Sequence, residues 1–359
     1  MLGRLSRLGR GAAKRQGTTN PGTPNGPDSA PVTAEAATWA MRLLIGREPK
    51  NEQELAIHQR HQTLGALRAS FMQTSEFRAL HPTHIARKPG FAIPPFLMRP
   101  PADPTIPWRF EQPTLAHVGS QLCTASQFQE PVFGQLIADL KLHPGHHRKL
   151  WEHAFVLSVL LREAMVGPGR RGVKVLATDA PTDETPNQGW ATTNQFAAQA
   201  EDLFFAGIVG RKVFDRLVSF RPVDMNAIPA DLNDQFDACW STCSLEHLGS
   251  LQHGLDFIEN SLNVLRPGGI AVHTTEFNLT SNDETLELPS LALFRRRDIE
   301  RLAARLIAAG HTVAPLNFHP GHEELDEVID VPPYSRPHLK LLVAHYTITS
   351  IGLIVRKKA

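Results

Sequence analysis

Residues 236–278 read FDACWSTCSLEHLGSLQHGLDFIENSLNVLRPGGIAVHTTEFN, and the fold is decided in this stretch. Phe236–Trp240 is a short apolar run that ends in small polar residues, which predicts a strand. Leu251 to Leu265 carries apolar residues at helical spacing. Arg266–Pro267–Gly268–Gly269 then predicts a tight turn: proline stops the helix, and the glycines allow the positive φ needed to drop into the next strand. Ile270–Thr274 is that strand. Strand, long helix and strand in succession make a βαβ unit with a parallel pair.

The same alternation extends outward. Arg148 to Ala164 reads as a helix with Leu150, Ala154, Leu157 and Leu161 on one face, and Val173–Leu176 as a strand running on to Asp179. Gln195 to Phe205 predicts a helix, Leu217–Phe220 followed by Val223–Asp224 a strand, Arg297 to Ala309 a helix stopped by Gly310, and Thr347 to Val355 a last strand. The fold class expected over residues 114–359 is α/β, a Rossmann-like and mainly parallel sheet flanked by helices. Right-handed crossovers would then gather the strand C-termini on one edge, where ligands bind. Ahead of it, residues 33–80 predict a small all-α module. Its helices are Ala34–Ile45 with Gly46 as the stop, Asn51–Gln62 with Asn51 as N-cap and Glu54 at the capping-box position, and Thr63–Met72. Residues 81–113 are a proline-rich connector and residues 1–32 a basic tail and linker.

The 359 residues are 42% hydrophobic and 20% charged, with a formal net charge of +1, which is ordinary for a globular chain and gives no electrostatic footprint for nucleic acid. Cys123, Cys239 and Cys243 are too sparse for a disulfide framework and fit a reducing cytoplasm. No apolar stretch reaches the length of a membrane span, and the basic start lacks the apolar core of a secretory signal. Cys239, Cys243, His247 and His253 lack the C-x-x-C spacing of a zinc set, so no metal is expected. His319, His322, Glu323, Asp326 and Asp330 read as a solvated loop, with a cation or polyol site as the alternative.

The ordered set Glu246–His247, Leu265 to Gly269 and the flanking strands resembles the second half of class I S-adenosylmethionine-dependent methyltransferases. WSTCSLEHLGS, VHTTEFN, Arg295–Arg297–Asp298, Ile329 to Tyr334, His338–Leu339–Lys340 and Thr349 to Gly352 are similar to a bacterial methyltransferase-domain group with members tied to glycan pathways. Arg42 to Pro49 with Ser75–Glu76–Phe77 resembles a short helical domain of surface- and glycan-associated bacterial proteins.

The resemblance implies S-adenosyl-L-methionine as cofactor and a small-molecule acceptor, such as a sugar or sugar nucleotide. It places Asp179 on the ribose hydroxyls and Asp224, followed by Met225, beside the adenine. It puts Ser241 and Glu246 in the same cofactor set. For each aspartate a turn or N-cap role is the alternative. Methyl transfer to oxygen or nitrogen needs a base in reach of the nucleophile, and the strand ends offer His247 first and Glu276 second. His273, Thr275 and Asn278 complete the polar set, with His273 equally readable as a satisfied sheet histidine and Glu246–His247 as a helix cap.

The chain departs from the family at one place. The first strand should end in a Gly-x-Gly-x-Gly turn, yet upstream of Asp179 stand only Gly167, Gly169 and Gly172, between a helix and a strand. One strand, its glycine loop and a helix, about twenty residues of a βαβ unit, are missing. Two functions follow from the two halves of this picture: an active methyltransferase, or a degenerate fold kept for binding a glycan or a protein. A nicotinamide oxidoreductase would need the same glycine turn.

Overall fold

The computed structural model describes residues 30–72, 74–80, 90–163, 165–166, 172–181 and 196–359. They fall into two compact units, one within residues 30–80 and the other from Gly90 onward. The tail at 1–29 and the glycines Gly167 and Gly169 lie outside the described residues; Gly172 is described, at φ +79°.

The small unit is helical: α1 (Ala34–Ile45), α2 (Glu52–His58), α3 (Leu64–Met72) and α4 (Ser75–Leu80). Its local signals are obeyed. Thr33 caps α1, Gly46 ends it at φ +68°, and the Asn51 side chain accepts from the Glu54 N–H. Ala37, Met41 and Ile45 meet Leu67 and Phe71 in its core. Arg47 donates to Glu54 at 2.7 Å and to Glu76 at 2.8 Å, so the Gly-Arg and Ser-Glu-Phe signatures are two ends of one ionic clasp.

The larger unit is an α/β fold with a mainly parallel sheet and one long antiparallel strand. Its elements run β1 (Trp108–Arg109), β2 (Ser120–Leu122), α5 (Pro131–Asp139), α6 (Arg148–Arg162), β3 (Val175–Asp179), α7 (Arg211–Leu217), β4 (Val218–Pro222), β5 (Phe236–Thr242), α8 (Leu251–Ser261), β6 (Leu265–Asn278), β7 (Glu287–Leu288), β8 (Leu291–Ala292), α9 (Arg296–Ala308), β9 (Thr312–Val313), β10 (Leu316–Asn317), β11 (Ile329–Asp330), β12 (Lys340–Val343) and β13 (Tyr346–Arg356). β5 and β6 pair in parallel; β13 lies antiparallel to β6 from Ile348↔Asn278 to Arg356↔Ile270. β2, β9 and β12 share the other edge of β13.

Several expectations shift. The Arg-Pro-Gly-Gly turn is an irregularity inside β6, not a break before it: Gly268 takes φ +77°, and a Cβ on Gly269 would stand 2.9 Å from the Arg266 carbonyl. Of the helix expected at 195–205, Gln195 is outside the described residues and only a 3-10 turn, Ala200–Leu203, forms, because Asp202 bonds back to the Ala198 and Gln199 N–H groups and closes it. From Gly90 the proline-rich stretch is built into this unit. Leu97 is fully buried, and Arg296, itself buried, donates to the carbonyls of Phe96, Leu97 and Arg99. Among the described residues no helix is long and apolar enough to cross a membrane.

Only residues 163–174 separate α6 from β3. That is too short for the missing strand, glycine turn and helix, since a whole βαβ unit takes about 30 residues. The consequence is visible in the sheet. Among the described residues β5 pairs with β6 alone, β3 and β4 form their own parallel pair, and Trp240 on β5 is 46% exposed.

α6 lies so close to β13 that a Cβ on Gly352 would stand 2.2 Å from the Phe155 ring. Gly352→Ala is therefore expected to force the ring aside, at about 1–3 kcal/mol. A lowered thermal midpoint checks this; an unchanged midpoint would mean the helix sits further away.

Candidate functional site

α6 delivers three charges to the C-terminal edge of the β5–β6 pair. Its apolar residues Leu150, Trp151, Ala154, Phe155 and Val159 bury against the sheet. Arg148 and Glu152, one turn apart on the same side, are carried into the interior with them, at 7% and 1% exposure. A buried carboxylate must be paired and hydrogen-bonded to persist, and Glu152 is. Oε1 accepts from Ser350 Oγ at 2.6 Å and Cys243 Sγ at 2.9 Å, and Oε2 from Thr274 Oγ1 at 3.0 Å. Lys149 Nζ lies 3.4 Å from Oε1. Burial alone would raise the Glu152 pKa, but Lys149, Arg148 and these donors outweigh it and hold the carboxyl down at about 2.

Glu276, near the end of β6, completes the set. Arg148 Nη2 is 2.6 Å from its Oε1, and Lys149 Nζ 3.7 Å from the same atom. Burial works against the Arg148 charge, but Glu276 and its neighbours keep the pKa above the usual guanidinium value. Cys243 follows β5 at φ +42°, a left-handed backbone that costs a non-glycine residue energy and recurs at functional sites. Burial pushes its thiol well above the ordinary range. Glu246, wholly buried, accepts from Thr275 Oγ1 at 3.0 Å through Oε2, and burial raises its pKa. Its other oxygen, Oε1, has no hydrogen-bond partner, and neither does Glu276 Oε2 or Arg148 Nε.

The residues singled out in the sequence are placed as follows. Glu246 and Glu276 come together with Cys243, their ligand atoms all within 4.8 Å of one another. His247 stands beside them: its Nδ1 bonds the Ser290 carbonyl at 2.6 Å, and Nε2 is 3.9 Å from Glu246 Oε1. The cap of α8 is Ser250, which leaves Glu246–His247 in the preceding 3-10 turn and free of capping duty. Ser241 bonds His273 Nδ1 at 2.8 Å, and Ser261 meets the other ring nitrogen at 3.1 Å, so His273 is a satisfied sheet histidine. Asn278 pins the loop after β6 through the Thr280 and Ser281 N–H groups and the Glu284 carbonyl.

Asp179 and Asp224 follow the paired strands β3 and β4. The Asp179 oxygens each accept one backbone N–H, from Ala180 at 2.9 Å and Ala197 at 3.0 Å, and burial raises its pKa. Asp224 Oδ1 accepts from the Asn226 N–H at 2.8 Å, and Asn226 Nδ2 reaches the Leu248 carbonyl, tying this turn to the one that carries Glu246. Met225 packs on the core.

Sequence reasoning missed Arg148, Lys149 and Glu152. The available signal was an Arg and a Glu four residues apart on the apolar side of a helix. It also missed a carboxylate–imidazole pair: Asp330, fully buried, accepts from His338 Nδ1 at 2.6 Å, with the His147 ring 4.5 Å from that of His338. Asp326 is likewise buried and paired with Lys340, so the solvated loop expected at 319–330 is wrong at both aspartates. Tertiary packing turned them inward.

No known family description matches the chain, and no curated protein sequence does. Solved structures do. The [4+2]-cyclase SpnF is similar at 17% identity over 68% of this chain and 100% of its own, with a TM-score of 0.35. The carbon methyltransferase CurJ is similar at 14% identity over 65% of this chain and 60% of its own, TM-score 0.30. An O-methyltransferase family protein from Burkholderia thailandensis is similar at 12% identity over 65% of this chain and 54% of its own, TM-score 0.28.

Proposed function

We propose that the chain transfers a methyl group from S-adenosyl-L-methionine to a small-molecule acceptor. The observation that carries this reading is the meeting of the motif residues Glu246 and Glu276 in one buried polar site at the C-terminal ends of β5 and β6, with the partly exposed His247 beside them. Open α/β sheets take their ligands at this edge.

The residues present fit the adenosine half of the cofactor. Each Asp179 oxygen accepts one backbone N–H and retains lone-pair capacity for a ribose hydroxyl. Asp224 and Met225 stand after the next strand for the adenine. Bound there, the cofactor would supply an activated methyl on sulfur. His247 suits the base: with its Nδ1–H given to Ser290, Nε2 carries the lone pair that receives the acceptor's proton. Glu276, with Arg148 at 2.6 Å and Lys149 at 3.7 Å from its Oε1, is the second candidate for proton transfer. A sugar or sugar nucleotide is the first acceptor class to assay.

The second reading, a methyltransferase-like fold kept for binding, is favoured by one observation: the 12 residues between α6 and β3 leave no room for the glycine turn. Calorimetric titration of the full chain with S-adenosylmethionine and S-adenosylhomocysteine separates the two. Micromolar binding weakened at least tenfold in Asp179→Ala is expected. A folded chain that takes up neither ligand at millimolar concentration would end the methyltransferase reading and leave the second.

A further inference from the structure

The buried site has an excess of acceptors. Glu152, Glu246 and Glu276 face the two cations Arg148 and Lys149, with the His247 ring 3.9 Å from Glu246 Oε1, and two carboxylate oxygens, Glu246 Oε1 and Glu276 Oε2, are buried with no hydrogen-bond donor. Leaving such oxygens unmet is costly. Both belong to carboxylates whose other oxygen is already committed, to Thr275 and to Arg148, so each offers one atom in a fixed direction. Beside them lies the Cys243 sulfur, 3.9 Å from Glu276 Oε1, and Cys243, Glu246 and Glu276 each bring one ligand atom within 4.8 Å of the others. Two oxygens and a sulfur in that span can surround one ion.

We propose that Cys243, Glu246 and Glu276 bind one divalent metal ion. A mixed sulfur and oxygen donor set suits borderline Zn²⁺ better than Mg²⁺ or Ca²⁺, which take oxygen ligands alone. The charges balance: three carboxylates and a thiolate against one guanidinium and one ammonium leave two negative charges, which the ion cancels. On binding, the thiol proton leaves to solvent and a sulfur–metal bond replaces the S–H···Oε1 contact with Glu152. Glu152 stays satisfied through Ser350 and Thr274. The ion would occupy part of the site proposed for methyl transfer, but its binding is read without S-adenosylmethionine, so failure of one reading is distinguishable from failure of the other.

The test is titration of the metal-stripped full chain with Co²⁺, followed by absorbance, with Zn²⁺ as competitor. One equivalent is expected to raise a near-ultraviolet thiolate-to-cobalt band that Zn²⁺ abolishes. Cys243→Ser should remove the band and Glu246→Gln weaken binding about 10–100-fold, while Cys239→Ser and Cys123→Ser keep both. Wild-type protein without a thiolate band, or a band that survives in folded Cys243→Ser, overturns the proposal; the wild-type result decides even if a variant fails to fold.

Discussion

Glu152→Ala is expected to lower stability by about 3–5 kcal/mol, the range for breaking a buried ion pair on one side. At about 2–4 °C per kcal/mol for a unit of this size, the thermal midpoint should fall by about 6–20 °C. The loss has two sources. Arg148 and Lys149 keep their charges in a site that no longer balances them, and Ser350, Cys243 and Thr274 lose a shared acceptor. A double variant with Arg148→Met should recover part of the loss, because it removes one of the stranded charges. A drop under about 1 kcal/mol, the value of an exposed pair, would show that water reaches Glu152 and that the site is not an interior one.

Acid should destabilise the fold well above the carboxylate range, and His273 is the main reason. The ring is fully buried between Ser241 and Ser261, and burial pulls its pKa down to about 3 from an ordinary 6.5. A group with a depressed folded pKa contributes its full stability above the unfolded value and loses it as pH falls. The loss therefore begins near pH 6.5 and continues towards pH 3. At pH 5 it amounts to about 2 kcal/mol, from 1.36 kcal/mol per unit. His147 and His153, held down to about 3 and about 4 chiefly by burial, act in the same direction but are only partly buried by surface area and add less. Glu152 joins only below pH 4.5, so it does not contribute between pH 7.5 and pH 5. Urea unfolding at pH 7.5 and pH 5 measures the difference, and His273→Gln should reduce it by about 2 kcal/mol. If the variant keeps the wild-type pH sensitivity, the ring is not the neutral group it is taken for here.

Local chemistry fixed what sequence reading recovered. The bounds of α1, its Gly46 stop and the Asn51 cap of α2 depend on residues a few positions apart, and they are found where the spacing put them. The order β5, α8, β6 likewise follows from periodicity, although the Pro-Gly-Gly read as the break before the last strand lies inside it. The lost glycine turn was also legible, since a missing segment changes the count of residues between a helix and a strand.

Tertiary structure alone decided the environment. Arg148 and Glu152 at four-residue spacing read as an ordinary surface ion pair until α6 is laid on β13 with Phe155 against Gly352; the same rotation buries both charges. Asp326 and Arg296 pass inward in the same way, satisfied by Ala125 and Leu97 far along the chain, while buried Asp330 is met by Ser335 and His338 from the turn that follows it. Cys243, Glu246 and Glu276 are spread over more than thirty residues, and only the parallel register of β5 with β6 sets them side by side. Propensity and capping act over one helical turn and are written in neighbouring residues, whereas dielectric and pairing depend on what packs above a side chain, and here that came from α6 and β13.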